Sequence, residues 1–186
     1  MSFNIIVACD LDNGIGKNNE LLYKLKNDMK YFKEITTTVE NKYKKNAVIM
    51  GRKTYESIPP KYRPLPDRLN FVITRNKDYP VEDNLIISKS LNDALEKIKL
   101  NSEIENTFVI GGGEIYQTAL NNINCNKIYL TKIFDESNAD IFFPKLDNSF
   151  EIINETALLS EKNVKCFNCF KDVEYKFIVY KKKIKI

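Results

Sequence analysis

Residues 107–116, TFVIGGGEIY, combine a short apolar run, a triple glycine and the start of a helical pattern. The run TFVI has the composition of a buried strand, and residues 114–121 read as a helix. A strand that leads through a turn into a helix is typical of a parallel α/β sheet. The triple glycine also lets backbone N–H groups approach an anion at a helix N-terminus, although a tight turn explains it nearly as well.

The same alternation of strands and helices extends through most of the chain. Apolar runs predict further strands at 3–9, 47–51, 69–74, 85–88 and 127–133. Helices are predicted at 24–36, from Arg52 and from Leu91. Residues 58–67 hold four prolines and predict a loop. Residues 150–159 and 173–181 read as strands with no helix between them, which indicates an antiparallel hairpin.

These elements predict an α/β fold: a mostly parallel central β-sheet with an antiparallel C-terminal edge hairpin and helices on both faces. The length of 186 residues favours one domain, over residues 1–186. In such folds ligands bind at the carboxyl ends of the strands.

Composition excludes several kinds of chemistry. The chain has no histidine, so a Ser-His-Asp or Cys-His nucleophile and an imidazole zinc site are excluded, and we expect no metal. Hydrophobic residues make up 43% and charged residues 29%, an ordinary balance for a globular protein. The net charge of +4 suits an anionic small ligand or nucleic acid, although solvated lysines explain most of it. The basic end, residues 181–185, reads as a frayed, solvated tail.

Apolar runs and cysteines point to a cytoplasmic protein. No apolar run approaches the length of a membrane span, and the N-terminus does not resemble a signal peptide. We expect the four cysteines to be reduced, with Cys9 and Cys125 in the core. The single C-x-x-C of Cys166 and Cys169 fits neither a zinc site nor a thioredoxin-like motif.

Asp28 occupies an unusual place for a carboxylate. On the predicted helix it shares a face with Leu25, Met29 and Phe32, where desolvation would raise its pKa. A helix-edge Asp that reaches water is the competing interpretation. No other pocket acid is identifiable in the sequence.

Three cations come directly after predicted strands. Arg52, Arg75 and Lys89 each follow one strand, so we expect them at one edge of the sheet, with the hydroxyls of Thr54, Thr74, Ser88 and Ser90 nearby. Cations and hydroxyls that converge in this way favour a phosphate site.

Several long motifs together resemble the dihydrofolate reductase family of the eukaryotic, monofunctional type, over about residues 5–180. The motifs stand in the family's order: IVACDLDNGIGKNN, LKNDMKYFKEITTT, VIMGRKTYESIP, RPLPDRLNFVITR, SKSLNDAL, VIGGGEIY, YLTKI and DIFFP. The resemblance implies that NADPH reduces 7,8-dihydrofolate to 5,6,7,8-tetrahydrofolate, in support of one-carbon metabolism. It places Asp28 as the acid that supports pterin protonation, with Thr131 bridging to it and the Tyr23 tip near the pterin.

The resemblance also implies the remaining site residues. Those expected to bind substrate are Ile6, Val7, Ala8, Leu21, Met29, Phe32, Ser57, Ile58, Leu65, Arg68, Ile110 and Tyr116. Those expected to bind NADPH are Ala8, Gly14, Ile15, Gly16, Gly51, Arg52, Lys53, Thr54, Thr74, Arg75, Ser88, Lys89, Gly111, Gly112, Gly113, Glu114, Ile115 and Tyr116. In this reading Arg68 clamps the glutamate carboxylate of the substrate, and Arg52, Arg75 and Lys89 hold the 2′-phosphate. The resemblance further implies a cis peptide between Gly111 and Gly112 and a mobile loop over residues 10–23.

Two departures and two alternatives remain. The family's Pro-Trp pair is replaced by Leu22-Tyr23, and Met29 stands where many relatives carry an aromatic residue or leucine. The alternatives are a related pyrimidine reductase of riboflavin synthesis and a non-catalytic binder of folate or nucleic acid. We expect dihydrofolate and antifolate inhibitors as partners, a monomer, no membrane association and no specific nucleic acid.

Overall fold

Thirteen β-strands and four α-helices make up the part of the chain that the computed structural model describes, residues 1–183. The strands are β1 (Phe3–Cys9), β2 (Gly14–Lys17), β3 (Glu20–Leu21), β4 (Tyr23–Lys24), β5 (Lys45–Gly51), β6 (Arg68–Ile73), β7 (Leu85–Ser88), β8 (Ile104–Gly111), β9 (Cys125–Ile133), β10 (Ile141–Phe142), β11 (Phe150–Glu155), β12 (Leu159–Cys166) and β13 (Phe170–Lys182). The helices are α1 (Lys26–Thr37), α2 (Arg52–Ser57), α3 (Leu91–Lys99) and α4 (Gly113–Leu120), with a short 3-10 helix at Pro60–Tyr62.

Ten of the described strands form one sheet in the order β4-β12-β13-β9-β1-β8-β5-β6-β7, with β11 also paired to β13. The pairs from β9 through β1, β8, β5 and β6 to β7 are parallel. The pairs that involve β13, and the pair β4-β12, are antiparallel. The predicted mostly parallel sheet with an antiparallel C-terminal edge is therefore confirmed. The remaining strands, β10, β2 and β3, form a separate small sheet.

The central strands are buried on both faces, which explains their continuous apolar runs. In β5, Ala47 and Ile49 pack with α3 and α4, while Val48 and Met50 pack with Tyr55 of α2 and Phe32 of α1. Helices therefore cover both faces of the sheet, as the sequence predicted.

The C-terminal region contains one more strand than the sequence indicated. We expected two strands, 150–159 and 173–181, whereas β11 ends at Glu155 and β12 runs from Leu159 to Cys166. The long β13 pairs with β9 along one side, and with β12 and then β11 along the other. The sequence of β12, LSEKNVKC, contains no apolar run that would predict a strand, because most of its residues face solvent.

Helix α1 begins two residues later than predicted. Lys24 belongs to β4, which pairs with β12, and the helix starts at Lys26. The carboxylate of Glu161 on β12 accepts hydrogen bonds from the backbone N–H groups of Lys26 at 2.8 Å and Asn27 at 3.1 Å. A residue more than 130 positions away in sequence therefore satisfies the free N–H groups of the first turn.

The cysteines differ in part from expectation. Cys9 and Cys125 are free and buried, as predicted. Cys166 and Cys169 form a disulfide, so the expectation of four reduced thiols is wrong. The turn between β12 and β13 brings their Cα atoms to 5.1 Å, a separation that suits a disulfide.

The structure also bears on the basic end of the chain, the possibility of a membrane span and the possibility of a metal site. Lys181 and Lys182 lie in β13, paired with Glu151 and Phe150, so this part of the basic end is not frayed, and residues 184–186 lie outside the described residues. Within residues 1–183, no helix is long and apolar enough to cross a membrane, and no cluster of three or more Cys, Asp or Glu side chains could hold a metal ion.

Candidate active site

A cavity of about 1730 Å³ runs along the carboxyl ends of the parallel strands. Its wall includes the residues with which β5, β6 and β8 end, and the residues that follow β6 and β7. Single-ligand pockets measure about 300–1,000 Å³, so this cavity has room for more than one small molecule. It lies at the edge of the sheet where the fold class predicts a ligand.

Most of the expected site residues line this cavity. Those that do are Ile6, Val7, Ala8, Ile15, Gly16, Leu21, Asp28, Met29, Phe32, Gly51, Arg52, Lys53, Thr54, Ser57, Ile58, Leu65, Arg68, Thr74, Arg75, Lys89, Ile110, Gly111, Gly112, Gly113, Glu114, Ile115 and Tyr116. Four expected residues do not: Gly14, Tyr23, Ser88 and Thr131.

Asp28 extends from the first turn of α1 into the cavity wall. The hydroxyl of Thr131 on β9 donates a hydrogen bond to Asp28 Oδ1 at 2.6 Å. Thr131 is buried behind the carboxyl and has no share in the wall, so it touches a ligand only through Asp28. The side chains that the sequence analysis linked are therefore in contact, across 103 positions of sequence.

The surroundings of Asp28 favour its protonated form. Burial raises the pKa of the Asp28 carboxyl, and the negative charge of Glu161 raises it further, while the Thr131 hydrogen bond lowers it. The sequence suggested that Asp28 is the only acid in the cavity, and this is wrong. Four more carboxylates line the wall, and all four are exposed: Glu20, Glu56, Glu114 and Asp140.

Replacing Glu161 with glutamine is expected to shift the pH profile of the reaction toward acid. The amide keeps one of the two acceptor oxygens at the N-terminus of α1 and removes the charge that raises the pKa of Asp28. The Asp28 carboxyl then loses its proton at a lower pH, and a rate that depends on this proton begins to fall at a lower pH than in the wild type. Single-turnover rates measured against pH check this, and a shift toward higher pH would contradict it.

Tyr23 does not take the place expected of it. Its ring packs with Leu22 and Leu25, and its hydroxyl donates to Asp135 Oδ2 at 2.7 Å. Burial and the Asp135 hydrogen bond raise the pKa of the Tyr23 hydroxyl. We therefore correct the expectation that Tyr23 places a polar tip in the cavity. The carboxylate of Asp135, which also pairs with Lys171, holds that tip elsewhere.

Gly14 and Ser88 are the other two expected residues that do not line the cavity. Gly14 donates its backbone N–H to Asp10 Oδ1 at 2.6 Å, and a Cβ at Gly14 would lie 2.7 Å from Asp10 Oδ2. Gly14 therefore faces the buried Asp10 carboxylate rather than the cavity. Ser88 is buried at the end of β7, and among the described residues its hydroxyl has no hydrogen-bond partner.

Apolar side chains form the wall around Asp28. Ile6 and Val7 of β1 are buried, whereas Met29 is 55% exposed and therefore stands at the mouth of the cavity. Tyr116 is buried at the back, where its hydroxyl donates to the carbonyl oxygen of Ile6 at 2.8 Å. These apolar side chains limit the contact of the partly exposed Asp28 with water.

Arg68 is a buried cation at the cavity wall. Its Nε donates to the carbonyl oxygen of Pro66 at 2.9 Å, and its NH1 donates to Thr36 Oγ1 at 2.8 Å. Burial lowers the pKa of the guanidinium. Within residues 1–183 no carboxylate forms an ion pair with Arg68, so its remaining N–H donors are available to an anion in the cavity.

The expected cations lie at one edge of the sheet. The pairs Gly51↔Ile73 and Ile73↔Ser88 are in register, so the residues that follow them, Arg52, Thr74 and Lys89, lie at the same edge of the sheet. Arg75 comes one residue after Thr74 and lines the cavity at this edge. Arg52 pairs with Glu56 at 2.8 Å, whereas Arg75 and Lys89 have no ion-pair partner in the described part of the chain. Arg75 and Lys89 are exposed at the cavity wall and can bind a phosphate.

The glycine turn between β8 and α4 continues this edge. Gly111 has a φ of +125°, which a side chain rarely tolerates, and the Gly111–Gly112 peptide is cis, as the resemblance implied. A Cβ on Gly112 would lie 3.1 Å from Thr54 Oγ1. The glycines therefore leave the backbone open to a ligand at the N-terminus of α4.

The small sheet forms the rim that sequence reasoning partly missed. Ile141 of β10 pairs with Gly16 of β2, and both line the cavity. The DIFFP motif was recognised, but nothing in its pattern indicates that it faces a ligand. Lys33 also lines the wall, and its spacing of four residues from Met29 on α1 was the signal that could have found it.

Comparisons with known proteins agree with this arrangement. A sequence model of the family described as "Dihydrofolate reductase" matches residues 2–182. The chain is 42% identical to "Dihydrofolate reductase" of Heliothis virescens over 182 residues, 96% of this chain and 95% of that protein. It is 41% identical to "Dihydrofolate reductase" of Rattus norvegicus over 186 residues, 97% of each chain. It is 43% identical to "Bifunctional dihydrofolate reductase-thymidylate synthase" of Daucus carota over 153 residues, 80% of this chain and 29% of that protein.

The parallel sheet, the edge with Arg75 and Lys89 and the carboxyl of Asp28 in the cavity wall are typical of an α/β protein that binds an anionic ligand beside an acid. The extent of the family match identifies it further: the chain belongs to the dihydrofolate reductase family. It is an NADPH-dependent oxidoreductase that reduces dihydrofolate to tetrahydrofolate. The pyrimidine reductase and the non-catalytic binder are not favoured.

Proposed function

We propose that the reaction takes place in the 1730 Å³ cavity, with Asp28 as the acid beside the pterin and the edge from Lys89 to Gly113 as the cofactor site. The observation that carries this proposal is the position of Asp28. Its carboxyl is set in an apolar wall, hydrogen-bonded to Thr131, with a pKa raised by burial. A proton on this carboxyl supports transfer to a nearby ring nitrogen.

The residues along the edge fit a dinucleotide phosphate. Arg75 and Lys89 offer unpaired cations for the 2′-phosphate, and the open turn at Gly112 offers backbone N–H groups for the pyrophosphate. When bound, NADPH supplies the hydride. The chain supplies the groups that bind the cofactor and the substrate, orients the two molecules, and forms the apolar wall of the cavity.

Asp28 and Arg68 would determine how dihydrofolate lies in the cavity. Asp28 would accept hydrogen bonds from the amino group and ring nitrogen of the pterin, and the buried Arg68 would hold the glutamate carboxylate. A guanidinium and a carboxylate match as a two-point pair. The apolar wall between them, with Phe32, Ile58 and Leu65, suits the aromatic rings of the substrate.

Replacing Arg75 with alanine is expected to weaken NADPH far more than NADH. The two cofactors differ at the 2′-phosphate, and an exposed charge-assisted contact to that group contributes about 1.5–3 kcal/mol. The KM for NADPH should therefore rise about 10- to 150-fold, while the KM for NADH changes little. Steady-state kinetics with both cofactors provide the measurement.

Lys77 offers a matched control for Arg75. It is an exposed cation two residues further along that does not line the cavity. Lys77→Ala removes the same charge from the same region and should leave both KM values unchanged. An equal loss of NADPH and NADH affinity in Arg75→Ala would remove the assignment of the 2′-phosphate site.

We further infer that the protein is a cytoplasmic monomer of one domain that binds antifolate inhibitors. One chain supplies both the Asp28 end and the cation edge of the cavity, which supports a monomer as the active unit. The raised pKa of Asp28 supports binding of basic heterocycles that share its proton. Sedimentation, cell fractionation and competition by a diaminopyrimidine test these points.

A further inference from the structure

A four-residue turn closed by a disulfide lies against the rim of the cavity. Cys166 ends β12 and Cys169 precedes β13, and the N–H of Cys166 donates to the carbonyl oxygen of Cys169 at 2.9 Å. The reaction described above does not use this turn. Its contacts nevertheless lead to the segment that borders the active site.

Two contacts join the turn to residues 14–24, here called the rim segment. Phe167, inside the disulfide loop, lies under the ammonium of Lys17, whose Nζ is 5.3 Å from the ring centroid. Cys166 also pairs with Tyr23 of β4 and packs against Leu22. Lys17 lines the cavity, so the turn touches one end of the rim segment at the wall and the other end just before α1.

The two cysteines of the disulfide differ in exposure to solvent. Cys166 is buried in the cluster that contains Leu22, Tyr23 and Leu25, whereas Cys169 is exposed. An external thiolate therefore reaches Cys169 Sγ from solvent, and Cys166 is the leaving group. Thiol–disulfide exchange depends on this access.

We propose that the Cys166–Cys169 disulfide is a redox-modification site for dithiol reductants, and that its reduction loosens the rim segment and weakens cofactor binding. This inference rests on the proposed function, which assigns the cavity to NADPH and dihydrofolate. The oxidised turn holds Phe167 under Lys17 and holds Cys166 in register with Tyr23. Reduction removes the covalent link between Cys166 and Cys169, and with it a constraint on the contact of Phe167 with Lys17 and on the pairing of Cys166 with Tyr23.

The exchange balances with a dithiol as the co-reactant. A thiolate of the dithiol attacks Cys169 Sγ, the bond between the two protein sulfurs breaks, and Cys166 takes up a proton as a thiol. The second thiol of the reductant then attacks the mixed disulfide, closes a cyclic disulfide and releases Cys169 as a thiol. Two electrons and two protons pass from the dithiol to the protein.

The small sheet of β10, β2 and β3 connects the rim segment to the cofactor end of the cavity. Gly16 of β2 pairs with Ile141 of β10, and Ile141 lies against Gly113 in the glycine turn, where a Cβ would meet it at 3.1 Å. A looser rim segment therefore disturbs the cofactor end of the cavity. Loss of the cation–π contact between Lys17 and Phe167 is expected to lower the affinity for NADPH by about two- to fivefold, the fold-change that matches the strength of one such contact.

The test compares the oxidised protein with the protein reduced by dithiothreitol. We expect two additional titratable thiols, faster amide hydrogen exchange in residues 14–24 and a KM for NADPH that is about two- to fivefold higher. Cys169→Ser, at an exposed position, should show the reduced behaviour with or without reductant. Phe167→Ala should raise the KM of the oxidised protein by a similar factor.

Cys125→Ala is the matched control, because Cys125 is a free buried cysteine outside the turn and should leave the redox response intact. Unchanged hydrogen exchange on reduction would overturn the proposal, as would a response that persists in Cys169→Ser. Faster exchange with an unchanged KM for NADPH would overturn the coupling to the cavity. A failure of the proposed function has a different signature, because Arg75→Ala would then affect NADPH and NADH equally while hydrogen exchange still reports on the turn.

Discussion

Replacing Asp28 with asparagine is expected to slow hydride transfer at pH 7 by about 10²–10⁴-fold, the usual contribution of a positioned acid. The amide keeps the size of the side chain and an acceptor for the Thr131 hydroxyl, but its N–H groups are not acidic and cannot transfer a proton to the substrate. Substrate that is already protonated by solvent does not need the acid. The rate of Asp28→Asn should therefore climb as the pH falls, without the plateau that the wild type reaches below the raised pKa of Asp28.

Single-turnover hydride transfer measured against pH separates this step from product release. Glu20→Gln provides the control, because Glu20 is an exposed carboxylate at the same cavity and its neutralisation should leave the profile unchanged. Wild-type rates in Asp28→Asn at pH 7, or a loss without recovery in acid, would show that Asp28 is not the acid.

Replacing Arg68 with alanine is expected to raise the KM for dihydrofolate by about 30- to 800-fold, which corresponds to about 2–4 kcal/mol for a buried charge-assisted pair. The guanidinium is buried at the wall, so a carboxylate bound there is shielded from solvent and from screening. Steady-state kinetics with varied dihydrofolate give the measurement.

A substrate that lacks the glutamate separates this role from a structural one. Arg68 also donates to Thr36 and Pro66, so its loss affects folding as well as binding. With a tail-less dihydropterin, the wild type and Arg68→Ala should have similar KM values. Arg68→Lys keeps the charge but not the planar fork, and it should recover only part of the loss. An equal penalty for both substrates would mean that Arg68 does not hold the tail.

The sequence predicted the parallel half of the sheet well, for a physical reason. Strands such as β5 are buried on both faces, so their apolar runs are continuous and stand out from the surrounding pattern. The edge with the cations could also be predicted, since the carboxyl ends of parallel strands meet at one edge of a sheet. Lys89 directly follows β7, Arg75 is the second residue after β6, and both line the cavity at this edge.

The features that sequence reasoning missed depend on contacts across the chain. The prediction for Tyr23 failed because Asp135, more than 100 residues away, accepts a hydrogen bond from the Tyr23 hydroxyl. The disulfide was missed because the spacing of Cys166 and Cys169 does not show that the turn between β12 and β13 lies between them. The share of Glu161 in the pKa of Asp28 was equally invisible, since β12 itself was not recognised.

The place of β13 in the sheet has a consequence for biosynthesis. This strand follows all the others in the described chain, yet it lies between β9 and the pair β12 and β11. While the ribosome is still adding residues 170–182, the parallel half has an unpaired strand edge at β9, which is a template for intermolecular pairing. A nascent or truncated chain that ends before β13 should therefore aggregate, and cells that make this protein fast should depend on chaperones that cover that edge.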